Sequence, residues 1–171
     1  MFAVNRKRKP SKTKFTHTKK TSKNKFEFHS MIKSKQYTCQ QLIEAIPNCY
    51  YDIKVKDKYG YNALFYACQQ TGYETLAIQL LCMSPYAFHN SKMKFISARN
   101  PLHNACYIGC FETSKTLLQT IDWLKEQKDR NGQTPIFYTC ETNHDQILNY
   151  FIKNTSIDIN EVDKKIVTYY I

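Results

Sequence analysis

The run Asp129-Arg130-Asn131-Gly132-Gln133-Thr134-Pro135-Ile136-Phe137-Tyr138 decides how this chain of 171 residues is read. An altered copy stands upstream as Lys56-Asp57-Lys58-Tyr59-Gly60-Tyr61-Asn62-Ala63-Leu64-Phe65-Tyr66-Ala67, and the second half returns as Asn100-Pro101-Leu102-His103-Asn104-Ala105. Aligned on Asn62, Asn100 and Thr134, the copies lie 38 (100 − 62) and 34 (134 − 100) residues apart. A repeat of that period marks stacked supersecondary units, none of which buries its apolar face alone. Each copy also reads locally as a turn that launches a helix. In Asp-x-x-Gly the Asp side chain bonds nearby backbone, and Gly60 or Gly132 takes a positive φ at little cost. Asn62, Asn100 or Thr134 then offers a side-chain oxygen to cap the first exposed N–H groups. Pro101 and Pro135 follow at the first helical position, where a missing N–H costs nothing. Leu64, Leu102 and Ile136 open an apolar stripe that continues through Ala67, Ala105 and Thr139 and through Cys68, Cys106 and Cys140. These small residues let neighbouring helices approach closely.

On these residues the chain resembles an ankyrin-repeat protein. The family pattern is a β-turn with Gly, then Thr-Pro-Leu-His with an Ala two residues on, a Gly near the first helix end, and a paired Leu in a second helix. The middle copy carries Asn100-Pro101-Leu102-His103, Ala105, Gly109, Glu112 and Leu117-Leu118; the third carries Gly132, Thr134-Pro135, His144 and Ile147-Leu148. The middle copy departs in lacking the Asp-x-x-Gly turn, and Phe65 and Phe137 stand where the family has His. The resemblance implies an all-α solenoid of helix-turn-helix repeats with β-turn tips.

Charge divides the chain. Residues 1–35 hold 12 of the 25 Lys and Arg and one of the 14 acids, a net of +11, while residues 36–171 hold the other 13 of each, a net of zero. The expected organisation is therefore a disordered basic arm over residues 1–36 and an ankyrin-repeat domain over residues 37–171. That domain divides into a cap at 37–55, repeats at about 56–98, 99–128 and 129–162, and a truncated repeat at 163–171. The arm's Lys, Ser and Thr, with isolated Phe15, Phe26 and Phe28, bury too little apolar surface to offset ordering. Its cluster Arg6, Lys7, Arg8, Lys9 reads as an import signal, a polyanion contact or a solvated tail. A transit peptide fits less well, because Lys outnumbers Arg and Pro10 interrupts an amphipathic helix.

In the cap, Leu42, Ile43 and Ile46 fall at helical spacing behind a capping box of Thr38 and Gln41. With Tyr51 to Val55 after it, the segment reads as the second half of an incomplete repeat, since end repeats are atypical. In the first full repeat Leu76, Leu80 and Leu81 form the second helix's apolar face, with Met83 filling behind. In the next, Leu117, Leu118, Ile121 and Leu124 do the same, and Trp123 is either a partner anchor or a half-buried core edge. The segment 84–99 is a contact finger or a tolerated insertion. An apolar end at Ile166 to Ile171, if left open, favours self-association or a partner.

The seven cysteines are an odd number without framework spacing, which argues against a disulfide-stapled secreted fold and for buried free thiols in a reducing compartment. No apolar run approaches the ~18 residues of a membrane span, and the N-terminus has no apolar signal core. The expected setting is intracellular, cytoplasmic or nuclear.

No catalytic constellation or cofactor motif is expected. His103, Cys106 and Cys110 invite a zinc reading, but the resemblance makes His103 a turn-bracing residue, and Cys106 belongs to the core stripe. Cys110 and His144 share a repeat position without any third orienting group. No Gly-rich phosphate loop exists among four glycines. What remains is binding. The resemblance places variable turn-tip and first-helix residues on a concave face: Lys58, Tyr59, Tyr61, Tyr66, Gln69 and Gln70, then Asn104, Tyr107 and Ile108, then Arg130, Asn131, Gln133, Tyr138, Glu141 and Thr142. Tyrosine gives contact area at low entropy cost and is enriched at interfaces. The expected function is a non-catalytic module docking a protein partner there. Two alternatives stay open: a nucleic-acid or ribonucleoprotein-associated component anchored by the arm, and an effector or viral ankyrin protein occupying a host partner. The Lys-, Asn-, Ile- and Tyr-rich composition, which points to an AT-rich genome, is compatible with the latter and also with many protists.

Overall fold

Turn chemistry recurs along the chain, and helices recur with it. The computed structural model describes residues 27–83 and 99–157, and among these every regular element is helical. In order they are α1 (Glu27–Ser34), α2 (Cys39–Ala45), a 3-10 turn (Ile46–Asn48), α3 (Tyr50–Ile53), α4 (Ala63–Ala67) and α5 (Glu74–Met83). Then come α6 (Pro101–Ile108), α7 (Phe111–Thr120), a second 3-10 turn (Asp122–Glu126), α8 (Pro135–Glu141) and α9 (Asp145–Asn154). They stack in two rows: α1, α4, α6 and α8 pack successively on the inner side, and α2, α5, α7 and α9 behind them. Within the repeats the two rows meet as α4 on α5, α6 on α7 and α8 on α9.

Two of the three expected caps form. Asn62 accepts from the Phe65 N–H at 2.9 Å, and Asn100 from the His103 N–H at 3.0 Å, each satisfying a donor that the first helical turn leaves open. Thr134 differs: its backbone is extended, but its side chain makes no capping bond. The Thr38–Gln41 capping box forms reciprocally, Gln41 N–H to Thr38 Oγ1 and Thr38 N–H to Gln41 Oε1.

The arm is shorter than the sequence led one to expect. Residues 27–34 are folded, not arm: α1 buries Phe28 and Ile32 completely and Met31 nearly so. These lie at i, i+3 and i+4, one face of a helix, and Lys33 and Lys35 occupy the exposed side. The segment 37–55, read as the second half of an incomplete repeat, is thus preceded by an inner helix, α1, with α2 as the outer member. The rest of the arm, residues 84–98 and residues 158–171 lie outside the described residues, and with them the proposed finger, the truncated repeat and its self-association.

The core runs through both rows. Leu76, Leu80 and Leu81 of α5 and Leu117, Leu118, Ile121 and Leu124 of the next layer are buried, as expected from their spacing. Met83 does not fill behind α5; it is exposed at the helix end. Ile121 and Leu124 are not on one continuous helix either, since α7 stops at Thr120 and a 3-10 turn carries the chain on. Trp123 is half-buried against the core.

Candidate functional site

Two of the turn tips have the same construction. Asp57 Oδ1 accepts from the N–H groups of Tyr59 and Tyr61 at 2.9 and 3.0 Å, with Gly60 at φ 86°. Asp129 Oδ1 accepts from Asn131 and Gln133 at 2.8 and 3.0 Å, with Gly132 at φ 77°. Nine residues on in each case, a tyrosine from the inner helix reaches back to the other carboxylate oxygen. Tyr66 donates to Asp57 Oδ2 at 2.5 Å, and Tyr138 to Asp129 Oδ2 at 2.7 Å. Burial alone would raise both carboxyl pKa values, but the phenol and backbone donors outweigh it and hold them below the ordinary aspartate value. The phenols move up, by burial first and the facing carboxylate next: Tyr138 to about 12, Tyr66 in the same direction.

The middle repeat is braced by other means. His103 is fully buried; its Nδ1 accepts from the Asn100 N–H at 3.1 Å, and its Nε2 lies 3.1 Å from the Gln133 carbonyl of the next turn. A ring that accepts at Nδ1 and donates at Nε2 must be neutral. Burial, the largest cause, lowers its pKa to about 4. Asn100 extends the brace through Nδ2 to the Leu124 carbonyl at 2.9 Å. His103 is therefore the link between one inner helix and the following turn tip.

Between these braces, the inner row carries a groove of about 430 Å³ lined from α1, α4 and α6. Lys33 and Lys35 come from the α1 end, Gln69 and Gln70 from the residues after α4, and Arg99, Tyr107 and Ile108 from the α6 segment. The Lys33 ammonium sits 5.0 Å from the centre of the Tyr66 ring, and the Arg99 guanidinium 4.5 Å from that of Tyr138, both within cation–π reach. Arg99 Nε also lies 3.7 Å from Asp129 Oδ2. Gln70 is tied down by its Nε2 bond to the Ile32 carbonyl at 2.9 Å, which fixes α4 to α1. The floor is Asn104, 6 % exposed, whose Nδ2 meets no acceptor among the described residues.

The residues expected on the concave face separate into two groups. Lys58, Tyr59, Gln69, Tyr107, Arg130, Asn131 and Glu141 are exposed, and Tyr61, Gln70, Ile108, Gln133 and Thr142 are half-buried. Tyr66, Tyr138 and Asn104 were expected to be exposed, and they are not. Tyr66 is 7 % and Tyr138 1 % exposed because their hydroxyls are spent on the turn aspartates, and Asn104 is sunk at the same helical position. Tyr61 stacks flat on Phe65 at 3.9 Å, so it is half committed to the fold. Groove residues Lys33, Lys35 and Arg99 were missed. The two lysines were assigned to the arm, although Phe28, Met31 and Ile32 already marked a helix face; Arg99 stands one residue before a cap, at the position held by Tyr61 and Gln133.

Cys106 is fully buried in α6, and burial drives its thiol pKa up, as it does for Cys68. Cys110, pushed up to about 12 by burial and then by Glu74, donates its thiol to Glu74 Oε1 at 3.3 Å. The His144 Nε2 lies 3.2 Å from the Tyr107 carbonyl. No group of three or more His, Cys, Asp or Glu is placed to hold a metal ion among the described residues. Among them, too, no helix is long and apolar enough to cross a membrane.

A family model of ankyrin repeats (three copies) matches the chain over residues 28–122 and 76–163. No curated protein matches it.

Proposed function

Because the chain belongs to the ankyrin-repeat family, whose repeats generally mediate protein–protein interaction, we propose that it docks a protein partner on its inner face and performs no catalysis itself. The observation that carries this reading is the groove across α1, α4 and α6, beside which Tyr107 stands 50 % exposed. An aromatic ring held out in solvent at the rim of a cleft is the kind of anchor that interfaces use. Tyr59, 37 % exposed at the first turn tip, extends the same face. A second reading makes the basic arm primary and the repeats a spacer; the ten Lys and Arg of residues 1–26, with no acid among them, favour it.

The test is affinity capture from lysate by the full chain, with nuclease treatment in parallel. It is compared with Tyr107→Ala/Gln69→Glu, and with a chain whose Arg6, Lys7, Arg8 and Lys9 are changed to Gln. A protein partner retained after nuclease and by the arm variant, but lost with the face variant, is the expected result. A partner lost with nuclease or with the arm variant, and indifferent to Tyr107 and Gln69, overturns the reading in favour of the polyanion-binding arm.

A further inference from the structure

Resting on that reading of the inner face, we propose that the groove receives an acidic segment of the partner protein. A carboxylate seats between Arg99 and the Asn104 amide, and the flanking chain runs past Lys33 and Lys35. The first argument is charge: the described residues lining the groove include three cations and no carboxylate, and although Asp129 faces Arg99 at 3.7 Å from outside the lining, Lys33 and Lys35 remain. The second is independent of it. Asn104 is nine-tenths buried, and its Nδ2 has no acceptor among the described residues, although a buried donor left unpaired is costly. An incoming carboxylate supplies that acceptor and takes a charge-assisted bond from the Arg99 guanidinium, which lines the same groove.

The equivalent positions in the flanking repeats sharpen the point. Tyr66 and Tyr138 each fill the space and end on a turn aspartate. Asn104 is shorter and its Nδ2 meets no acceptor among the described residues, so the middle repeat opens where its neighbours close. The remaining wall suits a peptide: Ile108 is half-buried and Tyr107 exposed, giving apolar contact beside the charge. A cavity of about 430 Å³ holds one or two side chains, within the range of ligand clefts. Single-stranded nucleic acid fits less well. It needs successive exposed rings for its bases, and the Tyr66 and Tyr138 rings are only 7 % and 1 % exposed.

The experiment presents a random peptide library to the full chain and, separately, to the chain with Arg6, Lys7, Arg8 and Lys9 changed to Gln. Selected peptides, and their counterparts with Glu and Asp replaced by Gln and Asn, are then titrated by fluorescence anisotropy. The expected result is that both chains select peptides with Asp or Glu beside an aliphatic or aromatic residue. The amide counterparts should bind at least about tenfold more weakly. Asn104→Asp, which sets a carboxylate where the donor was, should give a similar loss. So should Lys33→Gln/Lys35→Gln, whose sites are exposed and leave the fold intact. Selection of neutral or basic peptides that Tyr107→Ala weakens overturns the acidic specificity while leaving the inner-face reading standing. Acidic peptides lost only with the arm variant, and unaffected by Asn104→Asp, overturn both. A short poly-uridine RNA that binds more tightly than any selected peptide and is lost with Asn104→Asp overturns the peptide assignment in favour of nucleic acid.

Discussion

The outer two full repeats and the middle one solve the same problem differently. In the first and third, the brace is closed within the repeat: a turn aspartate takes two backbone N–H groups and the hydroxyl of a tyrosine nine residues later. In the middle repeat, the inner helix begins with a buried histidine that reaches forward to the next turn through Gln133. One arrangement stiffens a single unit; the other couples two. In a stacked array whose stability is a sum of units and interfaces, the coupling residue should matter most. Replacement of the tyrosine by Asn104 in that same repeat leaves space where its neighbours are filled.

His103→Ala breaks the comparison hardest. It removes a fully buried ring and leaves the Asn100 N–H and the Gln133 carbonyl without their partner. The expected loss is about 3–5 kcal/mol, read as a fall in urea midpoint. The same residue sets an acid limit. Its folded pKa, about 4, lies below the ordinary 6.5, so the unfolded chain takes the proton first as pH falls. Its contribution is intact above about pH 6.5 and is lost as pH drops toward 4, roughly 3 kcal/mol in all. Buried His29, also shifted down, by burial first, adds loss of the same sign. The Asp57 and Asp129 braces behave otherwise, because their stabilisation is present above the ordinary value of 3.8 and fails only as pH falls through their lower folded values. Urea unfolding at pH 7 and pH 5 should therefore differ for the native chain, and differ less for His103→Gln. An equal difference in both would mean that His103 is not the acid-sensitive brace.

The corners between helices give the next contrast. Gly109 has φ 85°, and a Cβ added there would overlap the His144 ring; Gly72 has φ 84°, with no atom within 4 Å of the same point. Both pay for a left-handed backbone, but only Gly109 adds a clash with a ring that is itself bonded to the Tyr107 carbonyl. Gly109→Ala should cost about 2–4 kcal/mol and Gly72→Ala roughly 1. Equal losses in thermal or urea unfolding would mean that His144 gives way freely. At the matching corner of the third repeat, Asn143 takes φ 56°, a conformation that Asn tolerates better than most residues.

What could be read beforehand was what is local. Asn62, Asn100 and the Thr38–Gln41 pair cap helices within three residues of themselves, so spacing alone exposed them. The period gave the stack, and the apolar spacing gave the inner faces of α5 and α7. Burial of Tyr66 and Tyr138 was less accessible. It depends on a partner nine residues away across a turn, and the matched spacings Asp57 to Tyr66 and Asp129 to Tyr138 were its only trace. α1 was hidden by composition: a lysine-rich surface surrounds a sound stripe of Phe28, Met31 and Ile32. The candidate groove was half legible, because Gln69, Gln70, Asn104, Tyr107 and Ile108 followed from repeat position, whereas Lys33, Lys35 and Arg99 required the fold.

A smaller effect separates the two outer braces. Tyr138→Phe deletes an O–H that lies 2.7 Å from Asp129 Oδ2 and 2.9 Å from Gln133 Oε1 at a position 1 % exposed, whereas Tyr66→Phe deletes one that meets Asp57 Oδ2 at a position 7 % exposed. Losing a hydrogen bond to a charged acceptor costs about 1.5–3 kcal/mol where water cannot replace it. The third-repeat variant should fall in that range and the first-repeat variant below it. Both should also make unfolding begin at a higher pH on acidification, since each aspartate loses the phenol that holds its pKa down. A reversed order in urea midpoints would place the tighter brace in the first repeat.

The smallest expected effect falls at the residue that differs between the two kinds of repeat. Asn104→Leu replaces an amide whose Nδ2 is buried and unpaired among the described residues with an apolar group of similar size. Removing a buried donor that has no acceptor gives back its desolvation cost and gains apolar burial. The stability change should therefore lie within about 0.5 kcal/mol of zero or be favourable. That near-neutrality is informative because every other buried polar side chain tested in the inner row is expected to be costly to lose. Near-neutrality at the bottom of a groove edged by three cations would support the proposed contact of Asn104 with an incoming carboxylate. A loss of more than about 1 kcal/mol would instead mean that the amide braces the middle repeat as the tyrosines brace its neighbours.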